Sequence, residues 1–457
     1  MKQYVFSIFA LLSYILAPIE YSWTFNCIIL IAFVLNFIMV AKRPNYQLLS
    51  YTTLFFVVFF FINFVYPVFI YPYDPTFILQ FRYSFSPDYI NRGSALCFCA
   101  FSFFLSGYVT KGRGHINGRF RYALKTRTYR LFLMLSYLIL AYNLYLIIPQ
   151  LGLIYGEASV PFQTGSLFVM IECTLSLIKC HINRERIKDN FKQYVHYLWP
   201  HLLASIIFCV ASLMLGSREY VLVLALLYLF LYTKYVKPMA FYKLCIILIV
   251  GMIGLYYISQ VRNMKGEQSE TTENDLFTKK PWQSNKVSGV WNLASDLIIN
   301  NRNVYVGMQY VDDPRHGYTL GMNYIPNIFS PVPFLPSLAS WALFNKPAVE
   351  CTSQQILTNY TRDDLGHKEL DYELGSNCVI DIYMGLGAIG VILIFAFLGY
   401  FIKRLELSEN DLPKMCIYLI LFTTVVFFCR SSFFGPLRNI VWSYLICLIM
   451  LRRYRLS

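Results

Sequence analysis

From its first residues to its last, the chain keeps returning to unbroken apolar runs close to twenty residues long. A helix rises about 1.5 Å per residue, so each run is matched to the roughly 30 Å of hydrocarbon in a bilayer. Lipid offers backbone N–H and C=O groups no partner, so only helices and closed barrels span it. Barrel strands alternate polar and apolar residues over about ten positions, and these runs do not alternate. Composition agrees: 14% of the 457 residues are charged and 57% are hydrophobic, whereas soluble domains carry about 25% charged residues. The expectation is an all-α, polytopic membrane protein.

Twelve spans are predicted, at 4–20, 24–41, 50–71, 94–110, 130–148, 163–181, 197–215, 219–236, 239–258, 377–402, 412–429 and 437–453. The run at 4–20 has no small-residue cleavage site and is expected to be a retained helix. The chain then divides into residues 1–258 with helices one to nine, a large outer loop at 259–376, and residues 377–457 with helices ten to twelve.

Lysine and arginine orient this map. With the N-terminus inside, the inner segments hold 24 of the 39 basic residues and the short outer loops hold five. The other ten lie in the long loop, whose length exempts it from the inside-positive bias. Both termini are therefore expected in the cytoplasm. The net charge of +14 follows from that bias and from attraction to anionic lipid heads, with no nucleic-acid partner needed. The basic run KGRGHINGRFRYALKTRTYR (111–130) is read as a juxtamembrane loop. The twelve cysteines carry no CxxC motif and read as small buried apolar side chains. Cys351 and Cys378 both fall on the outer side, where an oxidising compartment would preserve a disulfide; two free thiols are the alternative.

Within LMLGSREYVLVLALLYLFLY (213–232), Arg218 sits in a very short outer turn between two apolar runs. Arginine stays charged and forks two donors onto phosphate, which suggests an anion site at the membrane surface. The bland alternative is an arginine snorkelling to lipid heads. Arg262, in SQVRNMKG, and Arg430 and Arg438, in CRSSFFGPLR, also lie at outer helix ends, against the topological bias. Gathered together, four such arginines would hold a di-anion such as a lipid pyrophosphate.

The long loop opens with a polar stretch and continues as VWNLASDLIINNRNVYVGMQYVDDPRHGYTLGMNYIPNIFSPVPFLPSLASWALFNKP (290–347). This aromatic, proline-containing composition suits a re-entrant or surface-lying segment that binds sugar, or an aromatic belt at headgroup level. Of the two outer histidines, His316 in DDPRHGY is the better candidate base, because it precedes the semi-apolar segment; His367 is the other. Asp381 and Glu172 are the intramembrane acids, each suited to a proton path or to a buried ion pair. No GxSxG, HExxH, P-loop or DxD motif appears, and no metal or other cofactor is expected.

Three of these stretches together resemble the Wzy-type oligosaccharide repeat unit polymerases, often called O-antigen polymerases. They are LMLGSREYVLVLALLYL, the outer loop with HGYTLGMNYIPNIFSPVPF and a downstream NKP, and GSNCVIDIYMGLGAIGVILIFAFLGY (375–400). The resemblance covers roughly residues 200–400. It implies a membrane glycosyltransferase of GT-C type, related to O-antigen ligases, acting at the outer face of the bacterial cytoplasmic membrane. A growing chain would leave its undecaprenyl pyrophosphate for a hydroxyl of the next lipid-linked repeat. Arg218 and Arg262 would hold the pyrophosphate and His316 the acceptor hydroxyl, with a chain-length regulator as a candidate protein partner. The family often has Pro-Arg where this chain has Pro326 and Asn327, and Glu where it has Asp381.

Chemistry agrees with that role: arginines at helix ends would stabilise charge developing on the leaving phosphate, and His316 or Asp381 would take the acceptor proton. One base and a good leaving group suffice for direct displacement with inversion. The alternatives are an O-antigen-type ligase, a lipid-linked sugar flippase or transporter, and a non-catalytic scaffold. A transporter should show helices broken by Gly or Pro at a midplane site.

Overall fold

Apolar helices need lipid or one another, and the helices of this chain use both. The computed structural model describes residues 2–44, 46–76, 79–83, 85–110, 120–150, 162–215, 217–239, 251, 291–370, 372–408 and 411–455. In chain order the elements are α1 (Lys2–Ile15), α2 (Trp23–Ala41), α3 (Tyr51–Asn63), α4 (Tyr89–Val109), β1 (Phe120–Leu124), α5 (Thr126–Ile147), α6 (Phe162–Ile182), α7 (Phe191–Met214), α8 (Glu219–Tyr235), α9 (Asn301–Asp312), α10 (Leu335–Phe344), α11 (Ser353–Asn359), α12 (Cys378–Glu406), α13 (Leu412–Cys429), α14 (Leu437–Met450) and β2 (Leu451–Arg455), with short helical turns between some of them.

Among the described residues seven helices are long and apolar enough to cross a membrane: α2, α4, α5, α6, α7, α12 and α13. The predicted span 239–258 lies outside the described residues apart from Met239 and Gly251. Each of the other eleven predicted spans coincides with a described helix, and α1, α3, α8 and α14 are the short ones, at 14, 13, 17 and 14 residues. The expected span 50–71 is interrupted at Asn63. Pro67 has no N–H to give the Asn63 carbonyl, and the chain continues as a single π-turn at Tyr66–Ile70. The freed carbonyl accepts a hydrogen bond from Asn301 Nδ2 at 3.3 Å. Helices α4 and α7 begin five and six residues before their predicted starts. Their first turns are polar, and hydrogen bonds make that tolerable: Asn91 donates to the carbonyls of Pro18 and Glu20.

The chain divides into two compact units. The first comprises Met1–Arg113, Thr278–Arg404 and Val425–Arg438; the second comprises Gly114–Phe277, Leu405–Thr424 and Asn439–Ser457.

In the first unit, Phe33 of α2 packs against Phe56, Phe59, Phe64 and Phe101. Small and polar residues stitch the helices where lipid gives no hydrophobic drive for association: Ser7 bonds Ser106 at 2.6 Å, and Asn36 donates to Ser102 at 3.0 Å. Helices α4 and α12 cross backbone to backbone. A Cβ on Gly107 would overlap the carbonyl of Ala396, and one on Gly399 would overlap the carbonyl of Phe104. The amphipathic helix α9, from the predicted outer loop, packs on α4 and buries Asn301, Arg302 and Asn303. Arg302 donates Nε to the Tyr83 carbonyl and lies over the Tyr83 ring. Burial pushes its guanidinium down to about 10. Cys351 and Cys378 are free and buried, so they form no disulfide; Cys378 instead contacts Cys429.

In the second unit, α5 to α8 pack together with parts of α13 and α14, and β1 pairs antiparallel with β2, Ala123 opposite Arg452. Its centre is polar. Glu172 of α6 accepts from Ser136 of α5 and pairs with His201 Nδ1 of α7 at 2.8 Å, while His201 Nε2 meets Tyr129 OH at 2.7 Å. Of the two structures left open for Glu172, this is the buried pair, with histidine rather than arginine as partner. The early start of α7 is what carries His201 into the bundle.

Candidate active site

The segment after α9 bends sharply at Pro314 and doubles back, which gathers its polar groups. Asp313 accepts from Arg315 at both carboxylate oxygens, at 3.0 and 2.6 Å. The Arg315 guanidinium also reaches Asp364 at 2.9 Å. These bonds hold the Asp313 carboxyl well below the usual carboxylate range. Tyr360 donates to Asp313 at 3.3 Å, and burial together with Asp313 pushes its hydroxyl up to about 12.

This frame holds His316. Its Nε2 meets Asp364 Oδ2 at 3.1 Å, its ring stacks on Tyr310 at 4.6 Å, and Tyr360 stands edge-on at 5.3 Å. A carboxylate on Nε2 favours the tautomer protonated there, which leaves the lone pair on Nδ1. Among the described residues none is bonded to Nδ1. The side chain is 26% exposed. A fixed, partly open imidazole with an oriented lone pair is suited to take a proton from a hydroxyl.

The next residues dock onto a break in α12. Gly387 there has φ 65 and ψ −167, outside helical space and open to glycine. The Met384 carbonyl, without a helical partner beyond the break, accepts from Thr319 N at 2.8 Å. The Ile382 carbonyl accepts from Tyr324 OH at 2.8 Å, and the Asp381 carbonyl from Asn323 Nδ2 at 2.8 Å. A broken helix is the feature expected of a transporter, and here a chain segment fills the break.

Asp381 is fully buried at the start of α12. Its carboxylate accepts from Asn323 Nδ2 and from the backbone N–H of Phe433, both at 2.9 Å. Phe433 lies in the turn between Arg430 and Arg438, so Asp381 ties the histidine-bearing loop to the arginine-bearing turn. A base must reach its substrate proton, and Asp381 is sealed away from solvent; its geometry is that of a positioning residue. His367 contacts the Tyr83 ring and bonds Glu369 at 3.1 Å.

Arg218 occupies the N-cap of α8, where helix N–H groups add to its charge. It belongs to the second unit, whereas Arg430, Arg438, His316 and Asp381 belong to the first. Arg262 lies outside the described residues. Sequence reasoning missed Asp364, Tyr310 and Tyr360, which sit 6 residues before and 44 to 48 after His316 and carry no motif.

The model of the family described as O-antigen polysaccharide polymerase Wzy matches residues 191–456, more than half of the chain. The chain belongs to that family. No curated protein and no solved structure matches it. The matched stretch contains Arg218, Arg262, His316, Asp364, Asp381, Arg430 and Arg438, and the family is one of polysaccharide polymerases in membranes. The resemblance to the Wzy-type polymerases is thereby borne out.

Proposed function

We propose that this family member joins undecaprenyl-pyrophosphate-linked oligosaccharide repeats at the outer face of the bacterial cytoplasmic membrane, by metal-independent inverting transfer on a GT-C-like scaffold. The pairing of His316 with Asp364 inside an aromatic frame carries this reading. His316 Nδ1 takes the proton of an acceptor hydroxyl as its oxygen attacks the anomeric carbon of the donor chain. The anomeric C–O bond breaks, and undecaprenyl pyrophosphate leaves with the electron pair. Arg218, Arg262, Arg430 and Arg438 are the candidates to neutralise that pyrophosphate, and Asp381 fixes the turn bearing two of them.

The test uses membranes supplied with undecaprenyl-pyrophosphate repeats, with product length read on a gel. Wild type should give a ladder spaced by one repeat. Asp364→Asn should slow it about 10- to 100-fold at equal protein level, by analogy with metal-bound imidazoles that lose an orienting partner. Arg218→Ala should abolish it. A ladder that survives Arg218→Ala removes that residue from the site; absence of a ladder in wild type, with a single repeat moved to a fixed acceptor, would make the chain a ligase.

A further inference from the structure

The DDPRHGY segment bears two residues that the mechanism above does not use, Asp312 and Tyr318, and the structure closes a ring through them. Asp312 Oδ2 accepts from Arg92 Nη1 of α4 at 2.7 Å. Arg92 Nη2 donates to Tyr383 OH of α12 at 3.1 Å and to Tyr14 OH of α1 at 3.3 Å. The Tyr383 ring packs edge-on against Tyr318 at 6.1 Å. Tyr318 lies on the break in α12, 3.2 Å from where a Cβ on Gly387 would be, and is 49% exposed. Arg92, Asp312, Tyr383 and Tyr318 thus stand around the same short segment that holds His316.

The chemistry of this ring matches a sugar. The Arg92 and Asp312 side chains are 36% and 34% exposed, so the pair offers planar donors and acceptors of the kind that bridge neighbouring hydroxyls. The exposed ring of Tyr318 presents an apolar face to pyranose C–H groups, its hydroxyl turned toward Gly387. Helices α1, α4 and α12 position the group, and Arg92 precedes the stretch matched by the family. We propose that Arg92, Asp312 and Tyr318, braced from beneath by the buried Tyr383, form a carbohydrate subsite that seats the acceptor sugar beside His316. This rests on the polymerase reading above for the identity of the sugar.

The test separates binding from turnover. Full-length protein in lipid nanodiscs is titrated with the free repeat-unit oligosaccharide of the host's own surface polysaccharide, observed by saturation-transfer NMR. Tyr318→Ala and Asp312→Asn should each weaken binding about tenfold, the loss of one stacking or ion-pair contact, with the melting temperature unchanged. Tyr318→Phe, which keeps the ring, should bind as wild type does. In the ladder assay Tyr318→Ala should raise acceptor KM about tenfold with kcat near wild type. Equal binding by wild type, Tyr318→Ala and Asp312→Asn, or a loss confined to kcat, overturns the subsite. Oligosaccharide binding that depends on Tyr318 and Asp312 without any ladder in wild type would keep the subsite and sink the polymerase reading instead.

Discussion

The His316–Asp364 and His201–Glu172 pairs join an imidazole to a carboxylate at similar distances, 3.1 and 2.8 Å. Their surroundings differ. The first has side chains 26% and 21% exposed and one imidazole nitrogen turned away from its acid; the second has side chains 2% and 0% exposed, and both ring nitrogens are engaged. A proton donor or acceptor needs an open atom. A buried pair with every polar atom used holds helices together instead. Proximity of histidine to acid therefore says little about chemistry until access is known.

The contrast breaks most sharply at His316. Replacing it with Ala should cost about 10²- to 10⁴-fold in polymer formation, the usual contribution of a general base, with melting unchanged. A His316→Ala protein that polymerises at more than a tenth of the wild-type rate would leave the open pair without a catalytic role.

The sealed pair should behave in the opposite way. Glu172→Ala leaves His201 buried without its acid and should destabilise the fold by about 3–5 kcal/mol. The double replacement Glu172→Leu with His201→Leu should recover most of that loss, since apolar groups of similar volume replace buried pairs well. Thermal unfolding in detergent measures both. A single variant as stable as wild type but inactive would mean that this network takes part in turnover.

A smaller effect sharpens the open site. Gly387→Ala forces an alanine to φ 65 and pushes on Tyr318. The backbone strain alone should cost about 1–3 kcal/mol, visible in melting, and oligosaccharide binding should weaken with it. The smallest effect concerns acid. Arg315 lowers the Asp313 carboxyl below its unfolded value, so the pair is intact above the unfolded pKa of about 3.9 and is lost only as pH falls through the lower folded value. Between pH 5 and 8 the rate profile of Asp313→Asn should parallel that of wild type; a displaced acid limb would show that Asp313 titrates in that range.

Much of this was legible in the residues. Apolar run length gave the membrane class and located eleven of the described helices, because length and hydropathy are local properties. His316 stood out in the sequence because it precedes the semi-apolar segment of the outer loop. Its partner was not, since Asp364 returns through a loop of 48 residues whose path depends on tertiary packing. Arg92 was counted only as a basic residue of a short outer loop. The helix containing it starts at Tyr89, earlier than hydropathy allows, because Asn91 finds the carbonyls of Pro18 and Glu20 to bond. The predicted span 197–215 likewise puts His201 near its start, whereas the helix begins at Phe191. Polar first turns hide from a hydropathy reading when their partners lie elsewhere in the chain.

The crossing of α4 with α12 at Gly107 and Gly399 has a consequence for traffic. With backbone resting on backbone, neither a lipid tail nor a file of water can slip between these two helices at that depth. At the predicted inner ends of both spans this seals the pair against leakage, and a bulky residue at either glycine would pry open a doorway that the native chain keeps shut.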